Sequence, residues 1–474
     1  MTSAVVVGSG PNGLAAAIRL AQEGIEVTVL EAADRPGGGT RTSELTLPGL
    51  LHDDCAAFHP TGVVSPFLST LGLDRYGLRW AWPEIDLVHP LDDGRAGVLS
   101  REMDLTLASL GADARSWQRL FGPLARGLDD LLEDVLRPVA HRPRHPLLLA
   151  RFGLRALLPA TTIARRWDDE PAKALFLGAA AHAFGRLDTP LSGSVGLMLT
   201  AAGHRAGWPV AVGGSQAIAA AMTALLAGLG GTVKTGVRVT GLDQLRDLDG
   251  REPDFVLLDV APDAVVRIAG ERLPGRVRRA FERYRFGPAA YKVDFAIEGD
   301  VPWTNADARR AGTLHLGGSA AEVVAAEAAT VRGALAERPF VLVGQQYLAD
   351  PSRSAGSANP LWAYAHVPHG YTGDATEHVV RQIERFAPGF RDRVLATHVR
   401  GPVELASYNA NYVGGDISAG ANTARQIALR PRTTLHPYAT GIPGVFLCSS
   451  ATPPGGGVHG MGGFNAAEAA LRSR

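Results

Sequence analysis

Residues 8–13 read GSGPNG, between the apolar run of residues 4–7 and the helical pattern LAAAIRLAQEG. A second apolar segment, IEVTVLEA, brings the chain to Glu31, 18 residues past Gly13. Strand, GxGxxG, helix, strand and acid is a pattern whose chemistry is anion binding. Gly8 permits the tight turn, Gly10 lets the backbone approach a pyrophosphate, and Gly13 lets the helix pack on the strand. The diphosphate then lies over Pro11 and Asn12, at the positive end of the helix. Glu31 stands where a carboxylate accepts hydrogen bonds from ribose hydroxyls. This motif alone does not separate a flavin from a nicotinamide dinucleotide.

The residues that follow carry that distinction. EAADRPGGGTRTSE continues from Glu31 with Arg35 and Arg41 bracketing three glycines. Here the chain resembles the flavoprotein group of phytoene desaturases, monoamine oxidases and protoporphyrinogen oxidases. The resemblance implies FAD, with Glu31, Ala32, Arg35, Gly38, Gly39, Thr40 and Arg41 wrapped around its adenosine and diphosphate. It also implies a clamp on the adenine by the backbone near Val237. The C-terminal GVFLCSSATPPGGGVHGMGGFNAAEAALRSR would run along the ribityl chain and flavin ring, with Ser450, Gly457, His459, Gly460 and Met461 at the cofactor. Its helix N-terminus would stabilise charge on the reduced ring. NYVGGDISAG and GGGVHGMGG are similar to the phytoene-desaturase-like branch. Serines 449 and 450 stand where many relatives carry an acid.

Three residues are candidates for catalysis. Lys292, one of only three lysines, heads a segment similar to the lysine-bearing strand of monoamine oxidases, where it would hold a water at flavin N5; the other reading is an ordinary surface or structural lysine. His59 is either a base near the flavin or a hydrogen-bonded structural histidine. His459 lies inside the tail loop, at the cofactor. Tyr408, Asn411 and Tyr412 form a polar-aromatic stretch able to line a pocket, and Cys55 and Cys448 read as buried small residues. A second GxGxxG and a redox CxxxxC are both lacking, so neither a nicotinamide domain nor a dithiol relay is expected. Hydride would pass from substrate to flavin N5, with oxygen or a quinone reoxidising the flavin.

The elements that must position these residues span 474 residues, 46% apolar and 20% charged, too many for one ordinary domain. Zero net charge gives no field toward nucleic acid, and two isolated cysteines give no metal site. No stretch reads as a signal peptide or membrane span, so a cytoplasmic protein is expected. The fold expected is α/β: a Rossmann-type FAD-binding domain plus an α+β substrate-binding domain, discontinuous in sequence. Residues 1–80, 205–285 and 432–474 are assigned to the first and 81–204 and 286–431 to the second. A hairpin is expected around Asp93-Gly94, helices over 104–200, and strands in GGTVKTGVRVT. Residues 141–167 alternate leucine and arginine, either a lid helix or a basic amphipathic helix in peripheral contact with a membrane. The functional expectation is an FAD-dependent oxidoreductase acting on an apolar or small organic substrate. A flavin amine oxidase and a non-catalytic FAD-containing interaction protein are the alternatives.

Overall fold

A computed structural model describes residues 2–246 and 250–473. In chain order it contains β1 (Ser3–Val7), α1 (Pro11–Gln22), β2 (Glu26–Leu30), β3 (Ile85–Pro90), β4 (Ala96–Leu99), α2 (Ala114–Arg126), α3 (Pro146–Ala156), α4 (Glu170–Ala181) and α5 (Gly193–Ala206). Then come α6 (Gln216–Gly228), β5 (Thr232–Lys234), β6 (Phe255–Leu258), β7 (Ala289–Glu298), β8 (Ala311–Leu316), β9 (Val341–Gly344), β10 (Ala358–Val367), α7 (Thr376–Phe386), β11 (Val394–Arg400), β12 (Val445–Leu447) and α8 (Met461–Leu471). Shorter helices and two-residue ladders fill the connections.

The first sheet is wholly parallel, in the order β12-β6-β1-β2-β5. Its strands come from both ends of the chain and from its middle, and β1-α1-β2 at its centre is a Rossmann-like unit. The α/β class with a Rossmann-type domain is as the sequence predicts. Helix α1 is rich in alanine (Ala15, Ala16, Ala17 and Ala21, all buried), which lets neighbours approach its axis. Helix α8 does so most closely: a Cβ on Gly463 would fall 1.8 Å from the carbonyl oxygen of Asn12. Only β5 forms in GGTVKTGVRVT. Val237 instead donates its N–H to the Glu31 carbonyl at 2.8 Å, holding the chain beside β2 without extending the ladder.

The second sheet is mixed, ordered β11-β7-β10-β9-β8-β3-β4, and β3–β4 is the expected hairpin. Its strands alternate strictly, as the period of two demands. One face carries Val293, Phe295, Leu314, Val341, Val343, Leu361 and Ala363, and α7 covers it with Val379, Ile383 and Phe386. The other face is unusually polar. In register across the strands it presents Lys292 opposite Tyr364, and Asp294 opposite Trp362. Thr313 lies opposite Gly344 and His315 opposite Leu342. This second face looks toward the helices of residues 103–206, which pack around Trp117, Phe121, Trp167 and Phe176.

Lys292 is therefore not a free cation. The residue is 2% exposed and its ammonium is ion-paired to Asp294, two residues along the same strand. His52 Nδ1 lies 3.5 Å and His398 Nδ1 3.8 Å from that carboxylate. Burial alone would raise the Asp294 carboxyl, but the ammonium and the two imidazoles more than offset it and hold it well below the usual range.

Two stability predictions follow from this packing. Gly463→Ala should push α8 off α1 and lower unfolding stability by about 1–3 kcal/mol, the usual result of overpacking; chemical denaturation reads it. Lys292→Met should cost more, about 3–5 kcal/mol, because it leaves Asp294 buried without its ammonium partner. The double substitution Lys292→Met/Asp294→Leu should recover most of that loss. If Lys292→Met unfolds at the wild-type denaturant midpoint, the ion pair is not holding this face together.

Candidate active site

A cavity of about 1280 Å³ runs from the N-terminus of α1 to the polar face of the second sheet. Gly8, Ser9, Gly10, Pro11 and Asn12 line it at one end, with Glu31, Ala32, Gly38, Gly39, Thr40 and Arg41 beside them. Val237 and Asp259 close that end, and Ser450, Gly457 and His459 bring the tail in from the opposite side. Asn12 donates to Ser450 Oγ at 3.1 Å across 438 residues of sequence. The glycines are a cradle that side chains would fill. A Cβ on Gly38 would stand 2.9 Å from the Gly10 Cα, and one on Gly39 2.2 Å from the Tyr412 hydroxyl. Gly8 and Gly457 have φ of +101° and +133°, conformations that L side chains rarely adopt.

Glu31 is fixed from three directions. It accepts from the Ser9 N–H at 2.9 Å and from the Ser9 hydroxyl, from the Ala33 N–H at 2.9 Å, and from Arg41 at 3.2 Å. Two carboxylate oxygens offer about four acceptor sites and these four donors occupy them, so a ribose hydroxyl would take the place of one donor, such as the Ser9 hydroxyl. Arg41 stacks over the Tyr408 ring at 5.4 Å, which orients the guanidinium along the cavity wall. The donor set, a helix N-terminus whose N-cap is a glycine with a guanidinium and a buried carboxylate beside it, fits a dinucleotide.

Several expected site residues lie off the cavity wall. Gly13 is turned into the packing: its N–H donates to Asp259 Oδ2 at 2.9 Å, and a Cβ there would strike the Gly8 carbonyl at 2.1 Å. Arg35 is engaged with the Thr42 carbonyl and Asp54. Gly460 faces Ala15, where a Cβ would stand 2.9 Å away, and Met461 is buried in the same core. These last two belong to the α1–α8 crossing. His59 is buried behind the wall, its Nε2 2.8 Å from Ser215 Oγ, while that hydroxyl donates to the Ala56 carbonyl. His459 is on the wall: its Nδ1 accepts from the Met461 N–H, which leaves the proton on Nε2. Burial lowers both imidazoles to about 4, so both are neutral near pH 7.

The sheet end of the cavity contains residues the sequence reading passed over. Thr313, Leu342, Trp362 and Tyr364 come from the sheet, and His182, Phe184 and Trp208 face them from the helical side. His182 Nε2 lies 2.9 Å from His315 Nε2, and His89 Nε2 donates to the Gly318 carbonyl at 2.8 Å. Burial lowers His182 to about 3 and His89 to about 4, and His315 falls well below its ordinary value. They form a neutral polar chain behind an otherwise aromatic wall. The alternation of Thr313 and His315 in the apolar strand GTLHLG was the available signal, a polar stripe on one strand face. Tyr408, Asn411, Tyr412 and Cys55 also reach the cavity.

Comparisons with known proteins agree with this architecture. The family of NAD(P)-binding Rossmann-like domains matches residues 6–71. The chain is 24% identical to pyridine nucleotide-disulfide oxidoreductase domain-containing protein 2 of Mus musculus, covering 99% of this chain and 93% of that one. A 38-residue stretch, 8% of each chain, is 66% identical to hydroxyneurosporene desaturase of Cereibacter sphaeroides. Among solved structures, putrescine oxidase bound to putrescine superposes with a TM-score of 0.63 at 18% identity, covering 99% of this chain and 98% of that one. The glycine motif and parallel sheet make the first part of this chain a Rossmann-like dinucleotide-binding domain, and the whole chain has a fold similar to that of putrescine oxidase.

Proposed function

We propose that the protein is an FAD-dependent dehydrogenase or oxidase that dehydrogenates a C–C or C–N bond of an apolar or small organic substrate, the hydride coming from a C–H carbon of that bond and the proton from its neighbouring atom. The observation that carries this reading is the single cavity shared by the glycine cradle and the aromatic face of the second sheet. At about 1280 Å³ it exceeds the roughly 300–1,000 Å³ of an ordinary small-molecule site, room for a dinucleotide and a substrate together. Bound FAD would supply the hydride acceptor, and oxygen or a quinone would reoxidise it. Glu31 and Arg41 would hold the ribose and diphosphate, and the backbone around Val237 the adenine. His459 would face the ring from the tail as a neutral imidazole. Phe184 and Tyr364, stacked 6.0 Å apart at 8°, would hold an apolar body at the sheet end.

The amine reading is favoured by that same aromatic wall. Against a substrate that binds as an ammonium, the carboxylates lining the cavity are Glu31, Asp134 and Asp259, and none lies on the second sheet. Apolar substrates are the better match.

Helix α3 supports a route for such a substrate. Its inner residues Leu149, Phe152 and Ala156 line the cavity, while Leu147 and Leu154 are 81% and 73% exposed and Val139 nearby is 70% exposed. Arg142 and Arg151 are exposed beside them. This is the pattern of a helix resting on an anionic membrane surface.

Two tests address this reading. The purified protein should be yellow, denaturation should release FAD, and Glu31→Ala should weaken FAD binding by about 1–3 kcal/mol; NADH and NADPH should leave the flavin oxidised. Colourless protein that FAD cannot reconstitute would defeat the proposal. For the membrane route, wild-type protein should float with vesicles containing phosphatidylglycerol, and Leu147→Ser/Leu154→Ser should float less while retaining its flavin. Equal flotation of both proteins would remove α3 from the route.

A further inference from the structure

Asp259 stands where an anion-binding loop should have no anion. It follows β6, its N–H donates to the Val7 carbonyl at 2.7 Å, and its side chain points at the glycine motif. Oδ2 accepts from the Gly13 N–H at 2.9 Å, and a Cβ on Gly10 would lie 2.9 Å from the same oxygen. The Gly13 N–H is in the first turn of α1, beside the donors that a dinucleotide diphosphate uses. The residue is 7% exposed and lines the cavity.

No cation compensates it. The groups facing Asp259 are the Gly10 and Gly13 amides from α1, Glu31 at the end of β2, and the Cys448 thiol after β12. Asn411 donates to its backbone carbonyl at 3.0 Å. No arginine, lysine or histidine pairs with its carboxylate among the described residues. Burial, and after it the charge of Glu31, raise the carboxyl to about 7, against the two amides that lower it.

We propose, building on the FAD reading above, that Asp259 makes dinucleotide binding proton-coupled: the carboxyl takes up one proton from solvent as the diphosphate binds and becomes a hydrogen-bond donor to it. A diphosphate brings negative charge to within a few ångströms of a buried carboxylate, and two such anions cannot share the helix N-terminus without a proton between them. Protonation costs little near neutrality and converts the repulsive neighbour into a ligand. The sign follows by linkage. Below about pH 7 the carboxyl is protonated with or without ligand, so affinity is level. Above that pH the ligand-bound protein holds one proton more than the free protein, and affinity falls as pH rises.

The test measures binding, not turnover. FAD affinity of the full-length protein stripped of cofactor would be followed by flavin fluorescence between about pH 6 and pH 9, with ADP as a second diphosphate ligand that has no flavin. The wild-type Kd for both should be level at acid pH and rise about tenfold per pH unit above about pH 7, the slope of one linked proton. Asp259→Asn, which keeps an acceptor oxygen and cannot ionise, should bind both with no such slope and more tightly at pH 8. Calorimetry of the wild type in two buffers of different ionisation heat should show one proton taken up per ligand at pH 8. A level wild-type profile, zero proton uptake, or an unchanged slope in Asp259→Asn would each overturn the proposal. If ADP binds with this slope and FAD does not bind, proton coupling stands and the FAD reading falls; if neither binds, both fall.

Discussion

The close approach of backbone to backbone around α1 is the constraint on which the rest of this structure depends. For an anion to reach the first turn of that helix, β1, the loop after β2 and the C-terminal tail must all come within van der Waals contact of it. Side chains would prevent this at each point: Gly13 against the Gly8 carbonyl, Gly38 against the Gly10 Cα, Gly463 against the Asn12 carbonyl. Glycine is entropically costly in a helix. Gly13 and Gly463 are each inside one, which is intelligible only as the condition for the crossings they allow.

A second constraint is the polar face of the large sheet. A strand buried on both faces is ordinarily apolar throughout, yet β7 carries Lys292 and Asp294, β8 His315 and β10 His366, all buried. Each has a partner of matching chemistry: Lys292 with Asp294, His315 with His182, and His366 with Glu327 at 2.7 Å. Partnered in this way, buried polar groups rigidify the wall they form, although His315 Nδ1, His366 Nε2 and Glu327 Oε2 are buried without a hydrogen-bond partner. Thr313, Trp362 and Tyr364 of the same face line the cavity, so a rigid polar layer supports its aromatic lining.

How much of this could be read from the sequence depended on how local each signal was. The Rossmann-like unit and Glu31 were legible because their spacing is fixed within about 30 residues by a single βαβ unit. The tail loop was legible as a cofactor-side element, but its glycines were assigned too uniformly. Gly457 lines the cavity, whereas Gly460 and Gly463 serve the α1–α8 crossing, a distinction that needs the position of α1 in space. Lys292 was placed by resemblance to another strand. Its partner was in plain view, since Asp294 at i+2 shares its strand face, and that alternation argued for an internal pair. Asp259 and the His182–His315 pair were out of reach because sheet register and the packing of distant elements, not local sequence, bring them to the cavity.

The site has one further property that follows from where its parts lie. The dinucleotide end of its walls draws on the first 41 residues, on Val237 and Asp259 in the middle, and on residues beyond 400, joined by contacts such as Asn12 to Ser450 and Asn411 to Asp259 and Ala261. None of these segments can hold a diphosphate or a flavin alone, because each supplies only part of the donor set. The cavity therefore forms only when the parallel sheet has joined β12 to β6 and the chain ends have met, steps with high loop-closure cost. A ligand bound there favours the native state alone and stabilises it by mass action. In this fold the dinucleotide would be a structural element as much as a reagent, cross-linking three stretches of chain that otherwise meet through glycine contacts and a few hydrogen bonds.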